Sequence, residues 1–81
     1  MSEKVKVYMP ELKDIKQNEN NFSYHAPNGN QPARYEELRA KAKDLADMIL
    51  VACPPSRERS LALTKLEECS MWANASIARN E

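Results

Sequence analysis

Apolar residues recur along Gln31 to Cys53 with a clear helical beat. Tyr35, Leu38, Ala42, Leu45, Ile49 and Ala52 follow alternating steps of three and four, one face of a helix. Pro32 sits where a first-turn proline is tolerated, and Glu36 and Glu37 favour the positive end of the helix dipole. Glu37 to Lys41 is the favoured acid-to-base pairing one turn apart. Pro54-Pro55 ends the segment, because a residue before proline is disfavoured in helical geometry. Ser56 follows as an N-cap, and a second helix is predicted from there to about Arg79. Its core stripe is predicted as Ala62, Leu66, Cys69, Ala73 and Ser76/Ile77. With so short a connection the two helices must lie antiparallel, as an αα-hairpin.

The pattern before residue 31 is different. Residues 1–20 show no sustained period, although "PELKDIKQ" predicts a short helix with Pro10 in its first turn. Asn18 to Pro32 has loop chemistry, with five asparagines, two prolines and the lone Gly29. Phe22 and Tyr24 interrupt it, and aromatics in such a loop are expected to be pinned to something. The fold class is therefore all-α: a short N-terminal helix or loop over residues 1–21, then a helical hairpin over 22–81.

Leu61, Leu63, Met71 and Trp72 do not all fall on the second helix's stripe. Leu61, Trp72 and Ala75 gather on one flank; Leu63, Ser70 and Ile77 gather on the other. Ala73, Ala75, Ser76 and Ala78 let a neighbouring backbone come close. A lone hairpin of this size is marginal, and no disulfide framework or metal supports it. Oligomerisation through the helix faces is the expected remedy. The competing reading folds the first twenty residues back over the flanks.

Composition narrows the function classes. Twelve Lys plus Arg balance twelve Asp plus Glu, so the basic excess of a general DNA or RNA binder is missing. No run is apolar enough for a membrane span, and the N-terminus does not read as a signal peptide, so a cytoplasmic location is expected. Cys53, Cys69 and His25 lack zinc-site spacing and predict reduced, semi-buried thiols. A single glycine cannot build a P-loop, and Ser23 beside His25 does not make a triad. Glu67 and Glu68 read as solvated helix charges. No catalytic residue, metal ligand or cofactor is assigned.

Three features suit an anion carrying a flat ring. "PPSRERS" joins a helix N-terminus to Arg57 and Arg59, with a capping motif and exposed arginines as the plainer reading. "FSYHAP" places Tyr24 in a loop with His25 and Pro27, where the ring either stacks on a nucleobase or packs over the hairpin. Arg34, Arg39, Lys41 and Lys43 lie along the first long helix, Arg39 and Lys43 one turn apart, as phosphate ligands or as a solvated face. Arg79 near the end of the second helix either compensates the dipole or serves a ligand.

The runs "SRERSLALTKLEE", "MWANASIARNE" and "FSYHAPNGNQPARYEELR" resemble the small phage anti-CBASS sponge family, whose hairpin domain is shared with the Thoeris anti-defence sponge. The resemblance covers Phe22 to Glu81. It implies a non-enzymatic trap: a homohexamer in the cytoplasm of the infected bacterial host. Such a trap binds cyclic dinucleotides such as cGAMP between protomers, takes cyclic trinucleotides in separate pockets, and blocks CBASS effector activation without cleaving the messenger. It implies a stacking role for Tyr24 beside Pro27, phosphate contact by Arg39 with Lys43 as second choice, and trinucleotide contacts from Thr64 and Arg79. Arg57 stays a candidate from the tip motif alone. Cys69-Ser70 departs from the family's expected Ala and β-branched residue, and Arg39 stands where the family has lysine. The alternative from the residues is a protein-binding inhibitory or antitoxin-like hairpin gripping through Leu61, Met71 and Trp72.

Overall fold

A computed structural model of the chain describes residues 7–81. The described residues form three helices, α1 (Leu12–Asn21), α2 (Gln31–Ala52) and α3 (Arg57–Asn80), and no strand. Expectations for the first six residues lie outside this range.

The α2–α3 hairpin forms where proline chemistry demands it. Cys53 is extended, at φ −109° and ψ 137°, as the residue before Pro54 must be. Ser56 then caps α3, its hydroxyl accepting the Arg59 N–H at 3.0 Å. Arg59 also reaches back: its Nη1 donates to the carbonyls of Leu50 and Cys53, at 3.4 and 3.3 Å. The side chain thus satisfies orphan acceptors at the end of α2.

That link helps set the rotation of α3, and the seam differs by about one residue from the sequence expectation. Arg59, Leu63, Leu66, Ser70, Ala73 and Ile77 are the half-buried stripe. Ala62 and Cys69 are exposed, and Leu63 and Ser70, expected on a flank, face α2 instead. Opposite them lie Tyr35, Ala42, Ala46 and Ile49, whereas Leu38, Leu45 and Ala52 are exposed. Both cysteines are exposed rather than semi-buried, Cys53 because it caps α2 and Cys69 because of this rotation.

Helix α1 begins later and runs further than "PELKDIKQ" suggests. Pro10 precedes the extended N-cap Glu11, and Asn18 to Asn21 are helical despite their loop chemistry. Gln17 Nε2 donates to Asn21 Oδ1 at 2.9 Å, one turn apart, and Asn20 Nδ2 donates to the Arg79 carbonyl at 3.0 Å. This tertiary anchor overrides local preference. Helix α1 therefore touches the end of α3, and among the described residues Leu61, Met71 and Trp72 remain exposed.

The molecule measures 58 × 44 × 14 Å, one helix thick. Its radius of gyration is 19.0 Å, against roughly 12 Å for a compact domain of this length. No apolar side chain among the described residues is fully buried. The hairpin closes a seam, not a core.

Candidate functional site

The loop joining α1 to α2 carries the first candidate. Phe22 and Tyr24 are each 87% exposed, so neither ring is pinned and Tyr24 does not pack over the hairpin. The loop backbone is nevertheless fastened. His25 Nε2 donates to the Asn20 carbonyl at 2.9 Å, and Ser23 Oγ donates to the Glu19 carbonyl. Gly29 adopts φ 53°, a left-handed conformation suited to glycine, and Gln31 N–H closes the turn on the Asn28 carbonyl at 2.9 Å. Pro27 is exposed in the same loop. An aromatic ring held out on an anchored loop is a stacking surface.

The second candidate lies along one face of the hairpin. A groove of about 290 Å³ has Ala42, Ala46, Leu63 and Leu66 as floor, Arg39 and Lys43 on one wall and Glu67 on the other. A neighbouring hollow of about 320 Å³ is lined by Tyr35, Arg39, Asn74, Ala75 and Ala78. Arg39 borders both. Lys43 Nζ is 2.9 Å from Asp47 Oδ2, and that hydrogen bond raises the lysine's pKa. Arg39 makes no ion pair among the described residues, so its five donors are free for an anion. Asn74 Oδ1 is buried beside it without a hydrogen-bond partner.

The remaining candidates stand apart. Arg57 is the exposed first residue of α3, at the hairpin tip, where Arg59 is occupied in capping α2. Arg57 and Arg79 are separated by twenty-two residues of one helix, about 33 Å at 1.5 Å per residue. Arg79 is half-buried, its guanidinium 5.9 Å from the centroid of the Trp72 ring, in cation–π range. Thr64 is exposed about a third of the way from Arg57 to Arg79. Arg39 and Lys43 share a groove, and Tyr24 and Pro27 share a loop; the seven candidates do not converge on one site within a single chain.

The sequence reading missed a polar clasp. Glu81 accepts from Arg34 through both carboxylate oxygens, with Nη1 to Oε2 at 2.9 Å, and from Gln31 Nε2 at 3.3 Å. The Arg34 hydrogen bond, followed by that of Gln31, lowers the Glu81 pKa. Arg34, expected among the phosphate-binding or solvated cations, is thereby engaged within the chain. These partners lie some fifty residues apart, and no local spacing betrays such a pairing.

A comparison with family models matches residues 14–78 to the model described as Acb2/Tad1, hairpin domain. Comparisons with curated proteins and with solved structures gave no match. The matched span includes α2, the connection and all but the last two residues of α3, together with most of α1. By that match the chain belongs to the Acb2/Tad1 hairpin-domain family.

Proposed function

We propose that this protein is a phage anti-defence sponge that sequesters cyclic oligonucleotide second messengers and thereby blocks activation of CBASS effectors. The family match over residues 14–78 carries the reading, since family membership supports a sponge-type binding protein. The chain assembles with copies of itself, as a hexamer by the family resemblance. Residues 22–81 act as the binding unit, and residues 1–21 form an extension whose helix docks on the end of α3. Cyclic dinucleotides such as cGAMP occupy crevices between copies, and cyclic trinucleotides occupy separate ones. The protein works in the cytoplasm of the infected bacterium.

Two features of the chain support this chemistry. Tyr24 is exposed on an anchored loop, ready to stack on a base. Arg39 borders two hollows and makes no ion pair among the described residues, and its planar fork suits a phosphodiester. A cyclic dinucleotide has two phosphates and two flat bases in near two-fold arrangement. A seam with Tyr24 and Arg39 from each of two chains has the same symmetry. Lys43, Pro27 and Arg57 are peripheral contacts in this reading, with Thr64 and Arg79 serving the trinucleotide.

The test combines calorimetry with ligand recovery. The protein is titrated with a panel of cyclic di- and trinucleotides, and each complex is then heat-denatured and the ligand chromatographed. Tight binding with intact ligand released is the expected result. Linear products, or no binding across the panel, would refute sequestration. A second reading is favoured by one observation: Met71 and Trp72 are 69% and 61% exposed. A protein-binding hairpin using Leu61, Met71 and Trp72 predicts a monomer or dimer whose melting temperature ignores every cyclic nucleotide.

A further inference from the structure

Gln31 is buried, at 8% exposure, in a chain with no fully buried apolar side chain among its described residues. A polar group in that position needs its hydrogen bonds. Gln31 Oε1 accepts the Asn28 N–H at 3.0 Å, and its Nε2 donates to Glu81 Oε1. Arg34 completes the arrangement: its terminal nitrogens grip Glu81, and its Nε donates to Asn30 Oδ1 at 3.1 Å. Three side chains thus bind Asn28 and Asn30, the last part of the loop that carries Tyr24, to the residue that follows α3.

The loop's first part is fastened to the same place. Asn20 Nδ2 donates to the Arg79 carbonyl, while the Asn20 carbonyl accepts from His25. Both anchors end on the final turn of α3 and the residue after it. Between them Tyr24 is unpacked, so the loop backbone must hold the ring in place.

We propose that Gln31, Arg34 and Glu81 are positioning residues for ligand capture, acting as a clasp that fixes the loop so that Tyr24 is presented in its stacking position. The inference rests on the sponge reading. Its physical basis is pre-organisation: ordering a loop only on binding costs affinity, and a loop already ordered avoids that cost. A two-pronged guanidinium–carboxylate pair supplies the directionality that a single ammonium contact lacks.

The experiment uses the full chain in four forms: parent, Arg34→Glu, Glu81→Arg and the double exchange. Amide hydrogen exchange over residues 22–30 is read without ligand. Affinity for cGAMP and assembly mass are measured alongside. Each single variant is expected to speed exchange at Asn28 and weaken cGAMP binding by about tenfold or more, with unchanged mass. The exchanged pair restores the ion pair but not the Gln31 and Asn30 hydrogen bonds, so it is expected to recover both readouts in part, above either single variant. Gln31→Met, which keeps side-chain length and removes the amide, is expected to behave like the single variants.

A double exchange no better than the single variants in either readout would overturn the clasp. Unchanged Asn28 exchange in the single variants would also overturn it. If the parent binds no cyclic nucleotide, the sponge reading fails, and the positioning role with it; the exchange data then report only whether the clasp anchors the loop.

Discussion

In the proposed sponge, Tyr24 and Arg39 are the residues on which ligand capture turns, and their settings predict different mutant behaviour. Tyr24 packs against little in the single chain, so Tyr24→Ala leaves the ligand-free melting temperature within about a degree of the parent. Losing one stacked base costs roughly 1–3 kcal/mol, a factor of about 5 to 150 in affinity. Calorimetry should show that loss while sedimentation shows the same assembly; unchanged affinity would remove the stacking role. Arg39 tests geometry against charge. Arg39→Lys keeps the cation but loses the planar fork, so affinity falls, and falls less than in Arg39→Ala. Equal affinities for the lysine and alanine variants would show that the arginine's charge contributes nothing. Both positions were legible in the sequence as residue types, an aromatic in a polar loop and a cation at helical spacing. That Tyr24 would be unpinned was not legible, because only tertiary packing decides whether a ring finds a partner.

At the scale of elements, the hairpin was readable where local chemistry is strong. Pro54-Pro55-Ser56 specifies a stop, a turn and a start within three residues, and the structure places both helix ends there. Ser56→Ala removes the acceptor for the Arg59 N–H and should cost about 1 kcal/mol, read as a lower melting temperature. The rotation of α3 was less readable. Small apolar residues at 62 and 69 look as core-like as Leu63 and Ser70, and a side-chain link from Arg59 to the end of α2 is invisible to a periodicity count. The asparagine run misled for a related reason: Asn20 gains a partner fifty-nine residues away. Glu81 supplies the pH signature of such distant pairs. Its folded pKa lies below the ordinary 4.5, through hydrogen bonds from Arg34 and then Gln31. Its stabilising contribution is therefore present above about pH 4.5 and is lost as pH falls through the lower folded value. Thermal melts from pH 6 down to pH 3 should show a smaller acid-induced drop in Glu81→Gln than in the parent. Parallel curves for the two proteins would mean the pair adds nothing to stability.

For the whole molecule, the deciding fact is how little apolar surface the single chain buries. The described residues form a slab 14 Å thick with leucines, methionines and Trp72 open to solvent. Conformational entropy for each ordered residue is of order 1–2 kcal/mol, and it must be offset chiefly by apolar burial. A slab one helix thick has no interior in which to achieve that burial, and on the proposed reading the missing area is found between copies. Stability and assembly should then be one equilibrium. In such a system the unfolded chain competes with the oligomer and not with a folded monomer, and the melting temperature rises with protein concentration. A hundredfold dilution should lower it by several degrees, while cGAMP bound across the seams should raise it at fixed concentration. Trp72→Ala removes an exposed ring that also carries the Arg79 guanidinium, and it should lower the melting temperature at every concentration by weakening the contact between copies. A midpoint independent of concentration, in a sample that sediments as a single folded chain, would contradict the shared-core argument and leave the proposed crevices without walls.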